Sequence, residues 1–180
     1  MKTLLYTTLS LSLCIVLWGC PYDSPYGIDA EPQQYIDEAL LGKWAAFVQR
    51  PSFENEYTES PVKIIFEKRT AMEYDVSITG YIDELKRFRV IDNDTIKGSA
   101  YLSVVDQRQF LNTFIKGKMY IAEIKRDDHS LSILTLAEQF TNKYIKSSQE
   151  LRLAVSVHYK NRVMPKYDDW FVAKNLQKVN

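Results

Sequence analysis

From residue 42 onward the chain keeps switching between apolar and polar positions every second residue. Val62, Ile64 and Phe66 alternate with Lys63 and Glu67, and Met72, Tyr74, Val76 and Ile78 alternate with Glu73, Asp75 and Ser77. Ile96, Gly98, Ala100, Leu102 and Val104 alternate with Thr95, Lys97, Ser99 and Ser103. Leu151, Leu153, Val155, Val157 and Tyr159 alternate with Arg152, Ser156, His158 and Lys160. A period of two marks a strand with one buried face. Residues 42–49 read as a first strand, and 85–91, 114–125, 130–137 and 170–179 as further strands. Lys68-Arg69-Thr70, Asp92-Asn93-Asp94 and Asp127-Asp128-His129 supply turns between them. Eight or nine antiparallel strands joined by short turns predict an all-β closed barrel or sandwich. No helical pattern of 10–15 residues recurs between strands, which argues against a parallel α/β sheet.

Four segments stand outside this rhythm. Val105 to Asn112 reads as a loop or a turn of helix. Glu138 to Gln149 places Phe140, Tyr144 and Ile145 at helical spacing, so it reads as a short helix or a strand extension. Tyr35 to Leu41 predicts a short N-terminal helix that Gly42 ends. Residues 161–169 contain Pro165 and read as irregular.

The N-terminus has a different character. Lys2 is the first charged side chain, an apolar stretch runs from Leu4 to Leu17, and small and apolar residues lead to Cys20. A basic start, an apolar middle and a small residue before a cut site predict an export signal. The stretch is short for a membrane span, which needs about 18 apolar residues. Of the two cysteines, Cys14 lies inside this signal, so an exported domain would keep only Cys20 and could form no internal disulfide. Residues 20–34 contain Pro21, Pro25, Gly27 and Pro32 with Asp23, Asp29 and Glu31. They predict an acidic, extended linker with a reach of roughly 50 Å, holding a domain of residues 35–180 clear of the headgroups.

Charge and composition exclude several classes. Lys+Arg and Asp+Glu both number 23, so no basic stripe for nucleic acid is expected. With 12 Tyr, 8 Phe and 3 Trp, the aromatic content favours pleated, half-buried surfaces. No Gly-x-Ser-x-Gly elbow and no phosphate loop occurs. The paired carboxylates Asp83-Glu84 and Asp168-Asp169 are neighbours in sequence, and strand neighbours point to opposite faces. His129 and His158 are the only histidines, fewer ligands than a zinc site needs. The expectation is a non-catalytic protein with no metal and no cofactor.

Three resemblances sharpen this reading. Leu17-Trp18-Gly19-Cys20 resembles the lipobox of bacterial lipoproteins, though Trp18 stands where a small residue is usual. That resemblance implies cleavage after residue 19, acylation of Cys20, and a stable anchor, since two or more acyl chains hold where one does not. From residue 35 to 180 the chain resembles the small lipocalin-like lipoproteins common in Bacteroidetes. Leu41-Gly42-Lys43-Trp44 looks like the Gly-x-Trp signature that opens the first lipocalin strand. Phe88 to Ile96, with its Asp/Asn turn, and Ile121 to Leu136 look like two of their hairpins. The Thr-Asp-Tyr element and the disulfide of other lipocalins are absent. The resemblance implies an up-and-down barrel of about eight strands with Trp44 packed across its closed end, against a basic side chain of the last strand. Lys174 and Lys178 lie in that region. Asp94-Thr95-Ile96 also resembles a short O-glycosylation site of exported proteins in that phylum.

In such a barrel Phe66, Met72, Tyr74, Val76, Ile78, Leu102, Val155 and Val157 would point inward. An eight-stranded barrel is wide enough either to be filled by its side chains or to hold one small ligand. The expected function follows that division. A hollow barrel would bind a small apolar or amphipathic molecule. A filled one would be a structural or protein-interaction subunit of an outer-membrane complex. In both cases the partner at the anchor is the membrane. Replacing Cys20→Ser should abolish incorporation of labelled palmitate and release the protein from membranes; unchanged labelling would defeat the lipobox reading.

Overall fold

The computed structural model describes residues 23–51, 57–80, 95–127, 129–137, 145–163 and 167–179. Eight strands follow in order: β1 (Gly42–Pro51), β2 (Tyr57–Lys68), β3 (Glu73–Thr79), β4 (Ile96–Val105), β5 (Arg108–Ile115), β6 (Lys118–Arg126), β7 (Ser130–Leu136) and β8 (Tyr167–Val179). Each pairs antiparallel with the next, and β8 returns to β1, so the sheet closes into an up-and-down, lipocalin-like barrel. The closing seam is short: Lys43 faces Val179, Trp44 faces Lys178, and Ala45 faces Gln177.

The alternation expected from the sequence sets the inner face. Val62, Ile64 and Phe66 of β2, Tyr74 and Val76 of β3, and Ala100 and Leu102 of β4 are buried in one interior cluster. A single 3-10 turn, Glu38–Leu40, stands where a short helix was expected. It drops Leu40, fully buried, into one end of the barrel. Gly42 follows with φ +112°, a conformation that favours glycine, and a Cβ there would come within 3.2 Å of the Lys178 side chain.

Four expectations are corrected. Residues 151–159 are not a strand but the middle of helix α1 (Ser148–Lys160). Leu151, Val155 and Tyr159 are buried at helical spacing, while Leu153 and Val157 are exposed. Ser147 caps the helix by accepting from Glu150 N. Second, Arg108–Ile115 is a strand and not a loop, entered by a tight turn with Asp106 and Gln107 both at positive φ. Third, residues 114–125 are not one strand, because Lys116-Gly117 turns between β5 and β6. Fourth, residues 23–29 are not a free tether, because they lie fastened on the sheet as described below. The expected strand 85–91 and the Asp92-Asn93-Asp94 turn lie outside the described residues, as does Asp94 of the Asp-Thr-Ile site.

β4 to β7 carry buried side chains on both faces. Their outer face is covered by α1 and by residues 23–29, which form a second cluster with Ile28, Phe110, Ile121, Leu151, Val155 and Tyr159.

The three-residue seam makes the C-terminus decisive for closure. Leu176 is fully buried inside the barrel beside it. Leu176→Ala should lower unfolding stability by about 2–5 kcal/mol in urea titration, whereas Val179→Ala, half-exposed at the rim, should stay within about 0.5 kcal/mol.

Candidate ligand site inside the barrel

One end of the barrel is plugged. Trp44 is 4% exposed and donates its indole N–H to Leu40 O at 2.8 Å. Lys178 Nζ lies 5.4 Å from the Trp44 ring centre and donates to Ala39 O at 3.3 Å. Of the two lysines expected near Trp44, Lys178 is the one on its ring, while Lys174 lies farther along β8 on the outside. Tyr74 of β3 holds the segment before the plug: its hydroxyl accepts from Asp37 N at 2.6 Å and donates to Asp37 O at 3.2 Å. The Phe66 and Tyr74 rings meet edge to face at 5.7 Å. Arg126 pairs with Asp37 at 3.0 Å.

Above this plug the barrel is hollow. A cavity of about 440 Å³ is walled by Ile64, Phe66, Val76, Ile78, Leu111 and Ile133, with Phe171 on β8. Ala122 and Ala173 leave the space that larger side chains would fill. Thr113, Thr135 and Tyr120 add hydroxyls, and Lys116 and Lys118 stand at the β5–β6 turn, where the cavity meets solvent. An apolar chamber with a few polar groups near one end is the usual build of a small-molecule site.

The expected interior set divides accordingly. Phe66, Val76 and Ile78 line the cavity. Tyr74 and Leu102 are interior but belong to the packed core. Met72 is half-buried in the bend before β3 and does not line the cavity. Val155 and Val157 are on α1, outside the barrel, because that segment is helical. The lining residues of β5, β6 and β8 escaped the sequence reading. Phe110 to Thr113 and Ile121 to Ile124 are buried without interruption, so no alternation marked their inward side.

A broader groove of about 1040 Å³ runs along β1, β2 and β8, past Phe47, Lys63 and Lys174. It is shallow and exposed, and Phe47 is 73% accessible within it. Among the described residues no group of three His, Cys, Asp or Glu side chains is placed to hold a metal. His129 sits in a turn where Asp127 Oδ1 accepts from its backbone N–H and from Ser130. His158 Nδ1 lies 2.8 Å from Ala154 O, one helical turn back.

The outer face holds two buried polar groups. Asn112, fully buried, accepts from Ile28 N at 2.7 Å and donates to Ser103 Oγ at 2.8 Å. Glu123, 2% exposed, accepts from Arg108 Nη1 at 2.9 Å and from the Tyr159 hydroxyl at 2.7 Å, and Tyr167 donates to the same carboxylate. Both carboxylate oxygens are thus occupied, and neither the cavity nor the outer groove includes Glu123. This cluster fastens α1 and the start of β8 to β6. Compared with known proteins, the chain matches no family model, no curated relative and no solved structure at a significant level.

The same burial sets an alkaline limit. Desolvation pushes Tyr74 and Tyr101 up to about 12. It does the same to Tyr167, which also reaches about 12 with Glu123 adding to the effect, and raises Tyr159 further still. Unfolded tyrosine ionises near 10, so the fold holds protons that the unfolded chain gives up. That contribution to stability is whole below pH 10 and is lost as pH rises through 12. Phenolate absorbance should therefore show these four tyrosines still neutral at pH 11 in the folded protein. Urea-unfolded protein should titrate completely near pH 10, and full titration without unfolding would contradict the burial.

Proposed function

We propose that this protein is an exported lipoprotein, acylated at Cys20 and held at the outer membrane of the cell envelope, whose barrel binds a small apolar or amphipathic ligand without catalysing a reaction. The observation that carries the binding reading is the hollow interior of about 440 Å³ with its apolar wall. That size falls within the roughly 300–1,000 Å³ range of small-ligand pockets. The hydroxyls of Thr113, Thr135 and Tyr120 and the two lysines at the turn suit a molecule with an apolar body and one polar end. The lipobox-like run and the export signal support the anchor. The cavity supports this reading over the rival one, a structural or protein-interaction subunit with a filled barrel.

Native mass spectrometry of the domain purified from its own cells should show a co-purifying small molecule. Ala122→Phe places a ring in the cavity and should weaken binding of a fluorescent fatty-acid probe at least tenfold while circular dichroism stays unchanged. Undiminished probe binding in a folded Ala122→Phe variant would move the site out of the barrel.

A further inference from the structure

Residues 23–37 run along the outside of the barrel in a fixed direction. Their first contacts are at the cavity's open end: Asp23 pairs with Lys118 at 2.9 Å, and Ser24 N donates to Met119 O at 2.7 Å. Midway, Ile28 N is held by Asn112, Tyr101 donates to Asp29 O at 2.5 Å, and Arg152 pairs with Asp29 at 2.6 Å. The segment finishes at the plugged end, where Ile36 N donates to Ala71 O and Asp37 meets Tyr74. The described chain therefore begins beside the mouth of the cavity, not beside its closed end.

We propose that the mouth faces a phospholipid surface at short range, so that an amphipathic lipid passes between the headgroup layer and the cavity without crossing bulk water. This rests on acylation of Cys20. Three residue steps separate Cys20 from Asp23. Whatever path they take, they span at most about 10 Å. A tether that short sets the docked end of residues 23–37 against the membrane, and the β5–β6 turn is at that end. The turn is suited to the contact. Lys116 and Lys118 stand on it, Lys118 with its Asp23 partner, Lys97 lies nearby at the start of β4, and all three are exposed. Ammonium groups at this level favour phosphate-bearing headgroups. Phe114, 47% exposed on the outer face just before the turn, offers an apolar ring to the interface. The closed end carries the Asp37–Arg126 pair and the Trp44 plug, and neither Asp37, Arg126 nor Trp44 lines the cavity.

The test uses the acylated full chain in vesicles of phosphatidylethanolamine and phosphatidylglycerol. A single new cysteine, Phe114→Cys at the mouth or Arg69→Cys at the closed end, carries an environment-sensitive fluorophore; Lys97→Cys reads the mouth from a second strand. A quencher attached to lipid headgroups should reduce emission at 114 and 97 more than twofold and leave 69 unchanged. Vesicle-bound protein quenched at 69 to the same degree, or at neither mouth position, overturns the orientation while leaving the anchor standing. Protein that fails to float with the vesicles overturns the anchor and the orientation with it.

Discussion

Four consecutive strands, β4 to β7, bury side chains on both faces, and this double burial organises the rest of the molecule. A barrel ordinarily presents its outer face to water, so an outer face carrying Phe110, Ile121 and Leu136 needs a cover. Helix α1 and residues 23–29 supply it. Two buried polar groups fix where they sit. Asn112 takes the backbone N–H of Ile28, and Glu123 takes the hydroxyls of Tyr159 and Tyr167. Arg152 joins the two covering pieces to the sheet, reaching both Asp29 and Val104 O. A buried carboxylate or amide without partners is costly, so these contacts tolerate little displacement.

With the outer face sealed, the interior is released from supplying the whole core. The plug of Leu40, Trp44 and Tyr74 fills one end, and small residues such as Ala122 and Ala173 keep the other open. The two features are coupled along the chain. The same segment that covers the outer face begins at the cavity mouth and ends by plugging the opposite end. Cover, plug and point of entry are one continuous piece of chain, which is why the direction of its docking bears on how the cavity would meet a membrane.

Much of the barrel was legible. Strands β2 and β3 alternate cleanly because only their inner faces are well buried, and β4 alternates in sequence because polar Ser99 and Ser103 stand on its outer face although Ser103 is buried. The interior residues Phe66, Tyr74, Val76 and Leu102 were assigned from that pattern. The Gly42 and Trp44 pair also landed at the closed end. The errors cluster where burial is two-sided or where alternation is accidental. Phe110 to Thr113 showed no period because every position is buried. Leu151 to Tyr159 matched period two, yet the buried members recur every fourth residue, as a helix requires. The Ser147-Ser148-Gln149-Glu150 capping pattern and the Lys116-Gly117 turn were the signals that would have corrected both. Pro25 and Pro32 did exclude helix and extended strand pairing among the described residues, but irregular chain can still be tightly docked, and composition does not distinguish the two.

By itself the sequence determined the class of fold, since a repeated period of two with short turns permits little besides an antiparallel sheet folded on itself. The closed end was expected from the resemblance of Leu41-Gly42-Lys43-Trp44 to the Gly-x-Trp signature and not from spacing; in the structure the Trp44 indole is held there by Leu40 O. Only the tertiary structure decided that the barrel is hollow, that α1 lies outside it, and that residues 23–29 begin at its mouth. Those outcomes depend on side-chain volumes summed across strands far apart in sequence, and on contacts such as Ile28 with Asn112 that span 84 residues.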